Sequence, residues 1–354
     1  MCFSPLKGFI NERGEVIKVT STKVKSIRYS NGKLISIYND NEIQNDDIVT
    51  FIDIPCRHCE ECYTQMRLEW ISRATAEMQL HSKALYITLT YRDYNDGDII
   101  LPPVAEMVTD DGEIFKHQTL RYRDFQLFMK RLRKKFPERK LRFMVCGEYG
   151  SRTFRPHYHA IIYGIDVSDF ADMLPHNRNK HGDILYSSVE LDNIWQLGYT
   201  LTGSADNGTI AYVAGYVAKK FSSIRTKDWY DYTNVVPPFI RSSNRPGLGS
   251  VFIRDNFDRF DNEYDYMMLP ALNDRSSPTK IKLWTSVKNN YKNSIYHNIG
   301  FDNFNNRYYN MIRRREKLID TRFSLLNTDM TKVDYSSSQQ VIFSSKIKRL
   351  RGDY

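Results

Sequence analysis

The sequence has no apolar run near the roughly 18 residues needed to cross a bilayer. Its first segment, Met1 to Val16 (MCFSPLKGFINERGEV), lacks the apolar core of a secretory signal. A membrane role and export are therefore not expected, and the cytoplasm of the producing cell is the expected location. Cysteine is scarce: five among 354 residues, an odd number with three clustered, which fits a reducing compartment better than a disulfide framework. No Gly-x4-Gly-Lys-Ser/Thr loop is present, so ATP-driven helicase work by this chain is not expected. There is no internal repeat and little sign of a second core of comparable strength.

What is abundant is aromatic and basic. With 24 tyrosines and 19 phenylalanines the chain can build a core and still offer stacking surfaces to unpaired bases. The formal charge of +9 favours a polyanionic partner without naming one. Between Lys130 and Arg142 lie eight basic residues (Lys130, Arg131, Arg133, Lys134, Lys135, Arg139, Lys140, Arg142) against Glu138 alone. Such a stretch either holds a phosphate backbone in a salt-sensitive way or is a solvated helix face whose cations suit a helix C-terminus. Arg313 to Arg315 and Lys346 to Arg351 are further basic segments, arms on nucleic acid or solubilising tails.

Periodicity sketches the elements. Short β-type runs at Glu15 to Val19 and Lys33 to Tyr38, with a turn signal at Asn31-Gly32, predict N-terminal hairpins. Met66, Trp70, Ala74 and Met78 predict a helix over 60–82, and Ala84 to Tyr91 (ALYITLTY) a buried strand. Residues 93–120 read as an exposed insertion and Arg123 to Phe136 as a helix. Leu141 to Glu148 and His157 to Tyr163 predict an antiparallel pair joined by Tyr149 to Pro156. A polar loop through His176 to His181, a short helix over 190–197, a strand at Tyr199 to Thr202, and a helix over 209–221 capped by Asp206 or Asn207 follow. Beyond Pro237-Pro238 the chain is polar and asparagine-rich.

Two groups of residues carry chemistry. On a strand, His157-Tyr158-His159 points both imidazoles to one face, and Glu148 at the end of the preceding strand can reach that face if the two pair. Two imidazoles and a carboxylate can hold a divalent cation with positions left for phosphate oxygens and water. Alone, a His-x-His pair is more often structural. His58, His81, His117, His176, His181 and His297 have no comparable setting and read as surface histidines. Tyr212, Tyr216 and Lys220 stand at i, i+4 and i+8 and form one column on a helix. Alone, two such tyrosines are more often core.

Taken together, Gly147-Glu148-Tyr149-Gly150, Arg155-Pro156-His157-Tyr158-His159 and, about fifty residues on, Tyr212-x3-Tyr216 followed by two lysines resemble the HUH endonuclease superfamily. The likeness is to the replication initiators of microviruses, small single-stranded DNA phages, and within them the gokushoviruses. Tyr86 to Tyr91, Cys56-x2-Cys59-x2-Cys62, Phe125 to Leu132 and Arg245 to Gly249 add to it, spanning residues 56–250. The resemblance implies an origin-nicking enzyme with Glu148, His157 and His159 as ligands of Mg2+ or Mn2+ and Tyr212 and Tyr216 as nucleophiles. One tyrosine would form a 5′-phosphotyrosyl link, with Lys220, or Lys219, steadying phosphate or phenolate. It implies single-stranded DNA at the origin as partner, a host replication helicase and polymerase beside it, and the cytoplasm of a bacterial host as the setting. Tyr158 departs from the superfamily, which usually has an aliphatic residue there; it is expected to face away from the metal.

Three cysteines at C-x2-C-x2-C supply three thiolates, and Cys2 can complete a tetrahedral structural zinc site with Cys56, Cys59 and Cys62. His58 is a poorer fourth ligand, wedged between the first two, and metal-free thiols are the alternative. Cys146, in a predicted strand, reads as an inert buried thiol. Arg245-Pro246-Gly247-Leu248-Gly249 reads as a turn that can also bring backbone close to DNA.

The expected fold is α+β: a central antiparallel sheet of the ferredoxin or RNA-recognition type, with flanking helices and an irregular C-terminal extension. The expected organisation is an N-terminal hairpin region with the cysteine cluster (1–62), an endonuclease core (63–235) and a partly flexible basic extension (236–354). Two rivals remain. One is a non-enzymatic, zinc-stabilised nucleic-acid-binding protein; the other is a relaxase or transposase of a plasmid or mobile element.

Overall fold

The computed structural model describes residues 6–10, 16–19, 24–30, 33–44, 52–57, 59–96, 99–109, 111–179, 182–222, 227–256, 266–269, 279–282 and 284. Contacts divide the chain into two compact units, one of which is residues 66–288; the described residues up to 65 belong to the other.

In the N-terminal unit, β1 (Leu6–Ile10) pairs with β2 (Val16–Lys18) and with β5 (Ile52–Ile54), while β3 (Ser26–Ser30) and β4 (Lys33–Ile37) form the expected hairpin. The turn residues Asn31 and Gly32 lie outside the described residues. Helix α1 (Glu60–Met78) begins at the cysteine cluster and ends four residues short of the predicted 82. There the backbone turns, with the N–H groups of Leu80 and His81 donating to the carbonyls of Glu77 and Met78.

The larger unit is built on β6 (Ala84–Tyr91). Every residue of ALYITLTY is buried or half-buried, because neighbouring strands flank it and helices cover both faces. Two small hairpins follow, β7 (Tyr94–Asp96) with β8 (Ile99–Leu101), and β9 (Val104–Val108) with β10 (Ile114–Gln118). The segment read as an exposed insertion is therefore structured, and Leu101 and Leu120 reach the core from it. Next come α2 (Tyr122–Lys135), β11 (Arg142–Tyr149), β12 (Pro156–Tyr163), β13 (Leu174–Arg178) and β14 (Ile184–Ser187). Then follow α3 (Val189–Trp195), β15 (Gly198–Ser204), α4 (Asn207–Ser222), α5 (Lys227–Thr233) and β16 (Phe239–Ser242).

Seven strands form one antiparallel sheet in the order β13-β14-β15-β6-β12-β11-β16. Two of these strands fall where polar loop was expected. The β13 strand runs through His176, and all of its residues are exposed, so no apolar alternation betrays it. The β16 strand lies past Pro237-Pro238 and pairs with β11 from Met144–Ser242 to Gly147–Phe239.

Side-chain alternation sorts the sheet into two cores. On one face Leu85, Ile87, Leu89, Tyr158, Ala160 and Ile162 pack against Phe125, Phe128 and Leu132 of α2 and Trp195 of α3. On the other, Tyr86, Met144, Cys146, Ile161 and Tyr163 pack against Ala74 and Met78 of α1 and Ile210, Val213 and Tyr216 of α4. Burying each phenylalanine of α2 contributes about 1.5–3 kcal/mol by area removed from water. Beyond β16, α6 (Ser250–Asp255), β17 (Tyr266–Leu269) and β18 (Thr279–Lys282) form a satellite cluster of Ala76, Phe252, Ile253, Met267, Leu269, Ile281 and Trp284. The polar composition had given no sign of it. No helix among the described residues is long and apolar enough to cross a membrane.

Candidate active site

The β11–β12 register pairs Glu148 with His157 and Cys146 with His159, so Glu148, His157 and His159 project from one face of the sheet. Glu148 Oε1 lies 2.9 Å from His157 Nε2 and 3.1 Å from His159 Nε2. The three side chains offer ligand atoms that all lie within 4.8 Å of one another. His157 Nδ1 is 3.0 Å from the Arg155 carbonyl, which only accepts, so Nδ1 carries the proton and Nε2 keeps its lone pair. His159 Nδ1 lies 3.1 Å from the Tyr86 hydroxyl and 3.0 Å from Thr88 Oγ1, two oxygens able to accept its proton. Three acceptor atoms thus converge where Glu148 and His159 are each only 5% exposed. A proton or a cation must lie between them, since a buried cluster of acceptors is otherwise repulsive. Two imidazole nitrogens and one carboxylate fit a divalent cation with open positions.

Helix α4 brings the tyrosines over this cluster. Its start is fixed by Asp206, which accepts at Oδ1 from the Thr209 N–H (2.7 Å), while the Asp206 N–H donates to Thr209 Oγ1 (2.7 Å). Of the two capping residues anticipated, Asp206 is the one that acts. One turn apart, Tyr212 and Tyr216 stand with ring centroids 5.0 Å apart, and the Tyr216 hydroxyl donates to the Tyr212 oxygen. The Tyr216 ring stacks on His159 at 4.5 Å, and the Tyr212 ring lies 5.5 Å from it, edge to face. Their exposures differ sharply: 43% for Tyr212 and 4% for Tyr216. Burial raises both phenols above their ordinary value. For Tyr212 the Tyr216 hydrogen bond offsets part of that rise; for Tyr216 the nearby charge of Glu148 adds to it.

The span of chain from β6 into α4 has relatives. Residues 84–221 match the family model of the Replication-associated protein ORF2. The chain is a relative of phage replication-associated proteins. It is 28% identical over 259 residues to the Replication-associated protein VP4 of Bdellovibrio phage phiMH2K, covering 71% of this chain and 67% of that protein. It is 31% identical over 169 residues to the Replication-associated protein ORF4 of Chlamydia phage 1, covering 48% of this chain but only 38% of that protein. It is 27% identical over 263 residues to the Replication-associated protein ORF2 of Spiroplasma virus 4, covering 73% of this chain and 71% of that protein. No solved structure matches the chain. The matched span contains Glu148, His157, His159, Tyr212 and Tyr216.

Of the other site residues read from sequence, Lys220 lies in α4, but its side chain is outside the described residues, as is that of Lys219. Tyr158 does face away from His157 and His159. It is buried in the opposite core, where its hydroxyl sits 3.0 Å from that of Tyr91 and accepts from the Arg121 N–H at 3.0 Å. Because the hydroxyl has partners, a tyrosine is tolerated where an aliphatic residue was expected. Cys146 is buried in the core beneath α4. Cys56, Cys59 and Cys62 converge in the N-terminal unit, and Cys2 and His58 lie outside the described residues.

The basic stretch is largely used by the fold itself. Arg131 donates to the Ile194 and Trp195 carbonyls, Arg133 to that of Leu141, Lys135 pairs with Glu190, Arg139 with Asp169 and Arg142 with Glu77. Lys130, Lys134 and Lys140 remain exposed and positioned for a polyanion. The terminal basic segments lie outside the described residues. Within Arg245 to Gly249, Gly249 adopts φ +73°, and a Cβ there would come within 2.5 Å of the Arg73 carbonyl. Its glycine is therefore required by packing on α1, which accounts for it without DNA.

Three contributors carry no sequence signal. Tyr86 and Thr88 hold His159 from the adjacent strand, and Arg67 of α1 donates to the Ala211 carbonyl at 3.4 Å beside the tyrosine helix. Tyr86→Phe removes one partner of His159 Nδ1 and is expected to weaken Mn2+ binding about 10-fold by calorimetry, as losses in the outer shell of a metal site do. Wild-type affinity in that variant would mean Tyr86 does not orient the imidazole.

Proposed function

We infer that this chain is a site-specific, single-stranded DNA endonuclease and ligase. It nicks an origin through a 5′-phosphotyrosyl intermediate and so starts rolling-circle replication of a small single-stranded DNA phage. The observation that carries this reading is the seating of two phenols over the Glu148–His157–His159 cluster, within the span shared with phage replication-associated proteins. In this reading residues 63–235 form the endonuclease core, 1–62 an N-terminal region and 236–354 a C-terminal extension.

Glu148, His157 and His159 would hold Mg2+ or Mn2+, which supplies Lewis-acid polarisation of a phosphate oxygen. Tyr212, the exposed phenol, attacks first. Its oxygen bonds to phosphorus as the bond from phosphorus to the 3′ oxygen breaks; the phenol gives up its proton and the departing 3′ oxygen takes one up. Bonds made and broken are alike, so no ATP is needed and the reverse step rejoins the strand. Tyr216 donates its hydrogen bond to the Tyr212 oxygen, which favours the phenolate of its neighbour. Once Tyr212 is esterified, Tyr216 serves for a second cut while the first end stays bound. Lys220, two turns past Tyr212 on the same column, is the cation for phosphate or phenolate. The free 3′-OH would feed a host polymerase, with a host helicase opening the duplex, in the cytoplasm of the bacterial host.

Incubation with a single-stranded origin oligonucleotide and Mn2+ is expected to give a covalent protein–DNA adduct on a denaturing gel, absent with EDTA. If no adduct forms across a range of metals and sequences, the non-enzymatic nucleic-acid-binding reading takes its place.

A further inference from the structure

The loop entering α1 gathers three thiols that the nicking site does not use. Cys56 Sγ and Cys62 Sγ lie 3.9 Å apart, and the three Sγ atoms of Cys56, Cys59 and Cys62 all fall within 4.8 Å of one another. A disulfide needs about 2.05 Å between sulfurs, so the cluster is not a bonded pair. Sulfurs sharing a tetrahedral zinc ion at about 2.3 Å each are about 3.8 Å apart, close to the spacing found. The backbone is shaped to the same end. Arg57 turns through φ +65°, and the Cys59 N–H then points at Cys56 Sγ at 3.4 Å, a hydrogen bond that favours the thiolate. Cys62, 5% exposed, sits in the first turn of α1, where the helix dipole also favours a negative sulfur.

We propose that Cys56, Cys59 and Cys62 hold one structural Zn2+ that ties the entering loop to the first turn of α1. Binding exchanges three S–H protons for three Zn–S bonds, with no change of oxidation state, and leaves one tetrahedral position to a further donor. Iron and copper suit thiolates as well, but a closed set of thiolates before a helix, without redox demand, favours zinc. The site is separate from the Glu148 cluster, so its test is arranged to stand apart from the nicking reading.

The full-length chain, stripped of loosely bound divalent cations by brief chelation, is expected to retain one zinc per chain by mass spectrometry of the metal. His157→Ala with His159→Ala should retain it; Cys59→Ser and Cys62→Ser should each lose it. Because a cysteine variant can fail to fold, the wild-type protein is also titrated with an organic mercurial, and zinc should be released as these three thiols are blocked. Cobalt replacement should give thiolate-to-metal charge-transfer bands. Zinc absent from the wild-type chain, zinc lost with the histidines but kept without the cysteines, or a disulfide within the cluster would each overturn the proposal.

Discussion

Glu148→Gln is expected to lower Mn2+ affinity and adduct formation by about 100-fold or more, since even partners one shell further out cost 10–100-fold. The physical reason lies in the charge of the cluster. Glu148 Oε1 is the only anionic donor among three atoms that meet within about a hydrogen-bond length, and a neutral amide removes it. Glutamine also brings an N–H2 donor that one imidazole lone pair can accept. Without metal the variant should therefore be as resistant to denaturant as the wild-type chain, or more so. Loss of binding with preserved folding identifies a ligand. Wild-type Mn2+ affinity in a folded Glu148→Gln chain would show that the carboxylate is not one.

Glu77→Gln is expected to cost about 3–5 kcal/mol of stability near neutral pH, the range for breaking a buried ion pair by removing one partner. Glu77 is 1% exposed. Its Oε1 accepts from Arg142 Nε at 2.5 Å and from His81 Nε2 at 3.0 Å, and its Oε2 from the Gly249 N–H at 2.7 Å. His81 is thus a member of this network and not the surface histidine its sequence setting implied. Burial pushes the Glu77 carboxyl up, but hydrogen bonds from His81, Gly249 and Arg142 outweigh it and hold the carboxyl below its ordinary value. A carboxylate with a depressed native pKa adds stability above its unfolded pKa, about 4.3, and loses it as pH falls through the native value. The variant's deficit should accordingly be full at pH 7 and shrink below about pH 4. Chemical denaturation across that range measures it, and a deficit independent of pH would contradict the assignment of the stabilising charge to Glu77.

Some of this fold can be read locally and some cannot. The Ala84–Tyr91 strand, the β11–β12 pair and α4 were legible because each writes its period in consecutive residues. The site was legible for the same reason: Glu148, His157 and His159 share one hairpin, and the tyrosines share one helix face. The partners that position these groups come from elsewhere in the chain. Tyr86 and Thr88 meet His159 only because β6 pairs with β12, and Glu77 meets Arg142 and Gly249 only through packing. The β13–β14 and β9–β10 hairpins were missed because exposed ribbons bury too little apolar surface to impose alternation. Basic residues 131–142 show the reverse failure: charge clustering is visible in sequence, but its internal carbonyl and carboxylate partners are not.

The most direct test of the central claim is where the DNA is attached. Proteolysis of the adduct followed by mass spectrometry is predicted to locate the phosphotyrosyl bond within Ala211 to Lys219, on Tyr212. Tyr212→Phe should abolish most of the first cleavage, Tyr216→Phe should spare it, and the double variant should form no adduct. A double variant that still links to DNA, or an attachment mapped to any other residue, would contradict the account.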